Sequence, residues 1–230
     1  MTAHESESKD RVATPPPEQA SSLGATLLRV AWLAILLGLT IEVLLLVLGG
    51  ALGEVLGVRP IVADLVRSIS WSVFVCVGLA VGTAVAKARV PLMGTLGLLS
   101  APLAFEASRV MHKGTLEALA ASGEIASGGS STLLVAVIKG LEYGCLGLAI
   151  GWVGTRPWGG AAAHAATGLA IGLVFGGSIL GVALVSAPEP LATAELVSRG
   201  VNEVLFPVGC SLVLFTATAL GKRAVGQDQT

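Results

Sequence analysis

Charge is scarce in this 230-residue chain: Asp, Glu, Lys and Arg make up 13% of it, while 53% is hydrophobic. A soluble domain of this size could bury a core, but it would need polar side chains to cover its surface, and whole windows here have none. The net charge of −1 hides an uneven distribution along the chain and gives no reason to expect a nucleic-acid partner. Cysteine is limited to Cys76, Cys145 and Cys210, each inside an apolar segment. That placement argues against a disulfide framework or a closely spaced zinc site. His4, His112 and His164 fall in the N-terminal tail and near opposite ends of the apolar segments, which makes a shared metal or haem difficult. No cofactor is expected. The sequence has no phosphate-binding glycine loop, no His-Glu-x-x-His zinc motif and no nucleophile elbow, and nothing in it favours an enzyme.

What is abundant is apolar length. Six segments, at about 27–52, 61–87, 91–111, 132–155, 161–186 and 196–221, each approach the roughly 20 residues needed to cross a bilayer, and the mean hydropathy of the chain is +0.83. The sequence predicts an all-α, polytopic membrane protein with six transmembrane helices in the lipid bilayer. Residues 1–24, which include Pro15, Pro16 and Pro17, read as a disordered cytoplasmic tail and not as a secretory leader. Residues 25–223 form the membrane domain, and 224–230 a short C-terminal tail. The longest connection, 112–131, is expected to hold a short surface helix at 113–126 and then a flexible run at 127–131.

Basic residues outside the spans fall mostly on one side: Lys9, Arg11, Arg29, Lys87, Arg89, Arg156, Lys222 and Arg223. The opposite connections hold mainly acids, with Arg59 and Lys113 as the basic exceptions. The positive-inside rule then places both termini in the cytoplasm, in agreement with an even number of spans, and the expected location is a bacterial inner membrane. Trp32, Trp152 and Trp158 would sit at the cytoplasmic interface, where indoles prefer to lie.

The segment 76–82, Cys-Val-Gly-Leu-Ala-Val-Gly, returns at 145–151 as Cys-Leu-Gly-Leu-Ala-Ile-Gly, with a weaker echo starting at Cys210. Together with fainter echoes among the odd-numbered spans, this suggests three helix pairs, at about 25–89, 90–156 and 157–223, around a pseudo-threefold axis. The plainer alternative is that Gly-, Ala- and Leu-rich helices resemble one another by composition. Gly78 and Gly82, Gly147 and Gly151, and Gly168, Gly172 and Gly176 have the four-residue spacing that lets helices approach closely in lipid, and helix packing is the favoured reading of them.

Ionisable residues inside the spans carry the functional expectation. Asp64 with Arg67, Glu106 with Arg109, Lys139 with Glu142, and Arg199 with Glu195 and Glu203 are spaced three or four apart, so each set shares a helix face. Counting at about 1.5 Å per residue from the basic ends puts Glu42 and Glu142 roughly 20 Å deep, Glu106 and Lys139 about 25 Å, and Arg67, Arg109 and Glu203 about 28–30 Å. Shallow arginines can simply snorkel to the headgroups, each neutralised by a neighbouring acid. Glu42 fits that account poorly, because no base lies within a turn of it on its own helix, and it should be protonated or paired across helices with Lys139 or Arg67. Pro207 and Pro102, each one turn from an intramembrane acid, break the backbone ladder and free the carbonyl four residues earlier.

The candidate site is therefore Glu42, Glu106, Lys139, Glu142, Arg199 and Glu203, with Arg67 and Arg109 setting the field at the entrance. Two functions fit these residues. One is a small transporter or channel-like protein moving an ion or small polar solute through a polar site in the outer half of the bilayer. The alternative is a non-transporting scaffold or subunit whose glycine faces and charged pairs bind partner membrane subunits or a second copy in a homo-oligomer.

Overall fold

The computed structural model describes residues 17–53, 58–84, 88–119, 130–187 and 189–227. Lys9, Arg11 and Lys87 of the basic set, the acids Glu54 and Glu124, and most of the expected flexible run at 127–131 lie outside these residues.

The described residues are helical almost throughout: α1 (Pro17–Ala51), α2 (Val58–Val81), α3 (Arg89–Ala118), α4 (Ser130–Val153), α5 (Ala161–Ser186) and α6 (Thr193–Gln227), with a 3₁₀ turn at Gly82–Ala84. All six are long and apolar enough to cross a membrane. Their outward faces carry exposed Leu, Val and Phe side chains, such as Leu36 and Val47 on α1, Leu103 and Val110 on α3 and Val174 and Val185 on α5. In water such faces would associate; in lipid they are already solvated, which is the condition of an integral membrane protein.

Three boundaries differ from the sequence reading. α1 starts at Pro17, inside the segment assigned to the tail; proline suits a first helical turn because its missing N–H has no intrahelical role there. The stretch from Lys113 to Ala118 continues α3 and is not a separate surface helix. Similarly, α6 runs to Gln227, into the expected C-terminal tail.

Each helix packs on the next in sequence and α1 closes against α6, so the bundle is a ring in chain order; α2 and α4 also reach α6. Glycine sets the closest approaches. A methyl group added to Gly97 of α3 would fall on the Tyr143 carbonyl of α4, and one on Gly147 of α4 would fall on the Met93 carbonyl of α3. On the other side of the ring, Gly168, Gly172 and Gly176 of α5 face the α6 backbone from Glu203 to Val208. The packing role assigned to these glycines is thus realised.

The glycine pairs do not follow a threefold arrangement, however. A threefold operation that carries the α2 pair, Gly78 and Gly82, from α3 onto the next helix pair would set Gly147 and Gly151 of α4 against α5. Both pairs instead converge on α3, against Ser100 and Met93 and against Met93 and Val90. The cysteines separate as well: the Cys76 and Cys210 sulfurs meet 3.3 Å apart in the core, whereas Cys145 is exposed.

The two proline breaks are accommodated at these same seams. Pro102 frees the Leu98 carbonyl, which lies 3.1 Å from where a Cβ on Gly140 would stand. Pro207 frees the Glu203 carbonyl, which is 3.3 Å and 3.4 Å from the corresponding positions on Gly172 and Gly176. Only a glycine-lined neighbour leaves room for a carbonyl that has lost its partner to face another helix this closely.

Candidate functional site

At the end of the bundle where α1, α3 and α5 finish, a cavity of about 850 Å³ is lined by residues of all six helices. Among them are Glu42 from α1, Arg67 and Trp71 from α2, Phe105 and Arg109 from α3, Lys139 from α4, Ile179 from α5, and Arg199, Asn202, Glu203 and Phe206 from α6. The chain order of the ring explains this gathering: each charged side chain sits in the half of its helix nearest the cavity end, on the inward face.

Lys139 is a buried polar group of the cavity wall. Its ammonium donates to Glu142 Oε2 at 3.0 Å, one turn along α4, and to Glu203 Oε2 across the interface with α6. It also stands 5.5 Å from the centre of the Trp71 ring and 5.7 Å from that of Tyr143. In a medium with little water, a buried ammonium held by two carboxylates and two ring faces is an electrostatic unit whose members depend on one another. Oε1 of Glu142 and the Tyr143 hydroxyl are buried with no hydrogen-bond partner among the described residues.

Trp71, Tyr143 and Phe206 pack edge to face, with ring centres 5.6, 6.0 and 6.4 Å apart, one from each of α2, α4 and α6. Trp71 and Phe206 of this layer line the cavity, and Tyr143 is fully buried behind them. Beyond the layer, Cys76, Leu79, Leu146 and Cys210 are fully buried. Farther along, towards the end where α4 finishes and α5 begins, lies a cavity of about 120 Å³ lined by Arg89, Met93, Ile150, His164, Leu214 and Thr218 among others.

Ion pairs border the mouth. Arg67 pairs with Asp64 at 3.0 Å, and Asp64 also meets His112 of α3 at 3.3 Å. Arg199 pairs with Glu195 at 2.7 Å, and Arg109 with Glu106 at 3.3 Å while lying over the Phe105 ring. All but the Asp64–His112 contact are the intrahelical pairs that three- and four-residue spacing predicts.

Of the sequence-stated candidates, Glu42, Lys139, Arg199 and Glu203 line the cavity together with Arg67 and Arg109, and Glu142 stands directly behind Lys139. Glu106 does not join them; its side chain is 57% exposed on the outer flank of α3. Lys139 reaches Glu203 and not Glu42, and Glu42 has no ion-pair or hydrogen-bond partner among the described residues.

Sequence reasoning missed the aromatic layer. Its members lie at different distances from the cysteines used to align the helices, and a lone aromatic in an apolar run reads as ordinary core. Trp71, placed four residues from Arg67 and so on its face, carried the one available signal. His112 and His164 lie at opposite ends of the bundle, and among the described residues no three His, Cys, Asp or Glu side chains converge as metal ligands. No protein-family model, curated protein or solved structure matches this chain.

Proposed function

We propose that this protein is a small multi-pass membrane transporter that takes a polar solute from the outer face into the six-helix cavity and releases it on the cytoplasmic side. The observation that carries this reading is a charged cavity lined from all six helices, with Trp71 and Phe206 in its wall and a second, smaller cavity nearer the other end of the bundle. A bundle built only to bind partners through its outer faces gains nothing from ionisable groups directed into its own interior, where each is costly to hold.

In this reading solute enters past Arg67, Arg109 and Arg199, and it binds against Glu42, Asn202 and the Lys139 network. The layer of Trp71, Tyr143 and Phe206 is the closed gate. The breaks at Pro102 and Pro207 give α3 and α6 points at which the cavity half of each helix can swing relative to the rest.

The test is uptake into proteoliposomes from a defined mixture of small metabolites, with the lumen read by mass spectrometry. Wild-type protein is expected to import one solute class above protein-free vesicles. Glu203→Gln, which removes the interhelical anchor of Lys139, is expected to reduce that import at least tenfold, with Glu117→Gln unchanged. Import of nothing above background, together with a membrane partner that co-purifies stoichiometrically, would establish the scaffold reading instead.

A further inference from the structure

Which solute suits the cavity follows from which of its charges are already committed. Three carboxylates line it. Glu195 is held by Arg199 and Glu203 by Lys139, but Glu42, only 6% exposed, has neither an ion pair nor a hydrogen bond among the described residues. On the cationic side, Lys139 is saturated by two carboxylates and two ring faces. Arg67 is not: at 52% exposure its ion pair among the described residues is with Asp64, and a guanidinium offers five N–H groups. The lining thus combines a deep, unspent acceptor on α1 with unspent donors nearer the mouth on the adjoining helix α2, and apolar surface from Trp71, Ile179 and Phe206.

We propose that the site binds a small zwitterion of the α-amino-acid class with an uncharged side chain, its ammonium on Glu42 and its carboxylate towards Arg67. An unpartnered carboxylate that is nine-tenths buried and lines a cavity is costly unless a cation or proton meets it, and a ligand ammonium supplies that partner. The carboxylate of the same molecule would gain bidentate hydrogen bonds from a guanidinium. A volume of about 850 Å³ lies in the range of small-molecule pockets and far exceeds the needs of a bare ion. The inference rests on the transport reading, whose solute it specifies.

Calorimetric titration of the purified full chain in lipid nanodiscs tests it with matched probes: alanine, leucine and phenylalanine; the amines lacking the carboxylate, ethylamine, 3-methylbutylamine and 2-phenylethylamine; and the acids lacking the ammonium, propanoate, 4-methylpentanoate and 3-phenylpropanoate. At least one amino acid is expected to bind, with its amine at least tenfold weaker and its acid weaker still. Glu42→Gln should weaken the amino acid at least tenfold, Glu42→Asp less, and Glu117→Gln not at all. The proposal is overturned if none of the three amino acids binds, if the acid binds as tightly as the amino acid, or if Glu42→Gln leaves affinity unchanged. Should Glu42→Gln fail to fold, the three-way comparison on the wild-type chain decides alone. Amino-acid binding without uptake would remove the transport reading and leave this one standing. Uptake of an organic anion without amino-acid binding would do the reverse.

Discussion

Lys139→Met is expected to destabilise the folded bundle by about 3 kcal/mol, the lower end of what removing one partner from a buried ion pair costs. The substitution keeps the length and apolar character of the stem but leaves Glu142 and Glu203 facing each other across the α4–α6 interface without the ammonium that joins them. The 14% exposure that the Glu203 side chain retains limits the loss. The diagnostic comparison is the triple variant Lys139→Met, Glu142→Gln, Glu203→Gln, which removes the uncompensated charges and should recover more than half of the loss. Equilibrium unfolding in mixed detergent, followed by the fluorescence of Trp71 and the other tryptophans, reads both. A single variant within about 0.5 kcal/mol of wild type, the scale of an ordinary surface substitution, would show that the lysine is not bound as described.

How much of this was legible in the sequence depends on the range of the interaction. The helices follow from apolar length alone, because in lipid the backbone must satisfy itself within each segment. The pairs at the mouth follow from three- and four-residue spacing on a single helix, and so does Lys139 with Glu142. Glu42 stood out for having no base within a turn on its own helix, and it lies in the cavity. What the sequence could not supply is the rotation of each helix about its axis. Glu106 and Ser108 are two residues apart on α3, yet the first faces outward and the second lines the cavity. Nothing in the sequence near Glu106 distinguishes those faces, since apolar residues surround α3 on all sides. The same uncertainty separates Cys145 from Cys76: similar heptapeptides present the sulfur outward in one helix and into the core in the other. Sequence similarity between two membrane helices therefore testifies to a shared packing face, here the glycines against α3, more than to a shared position about an axis.

That packing face gives the second large expected effect. Gly97→Ala should destabilise the protein by about 1–3 kcal/mol, the usual cost of overpacking, whereas Gly181→Ala should leave it unchanged or stabilise it by roughly 0.5–1 kcal/mol, as alanine does for glycine within a helix. Both residues are helical, so the difference is purely one of neighbours. The methyl group at Gly97 would land on the Tyr143 carbonyl, a backbone atom that cannot rotate aside, while Gly181 has nothing within 4 Å of the added group. Relief at Gly97 requires α3 and α4 to separate along a seam that Gly147 and Met93 close from the other side. Because α4 carries both Lys139 and Tyr143, a shift large enough to admit the methyl also moves the ammonium against Glu203 and the ring against Trp71 and Phe206. Gly97→Ala should therefore impair solute uptake as well as stability even though Gly97 does not line the cavity, and Gly181→Ala should impair neither. Thermal unfolding in detergent and proteoliposome uptake, measured on the two variants side by side, check this; equal melting temperatures would mean that α3 and α4 do not approach as closely as the glycines allow.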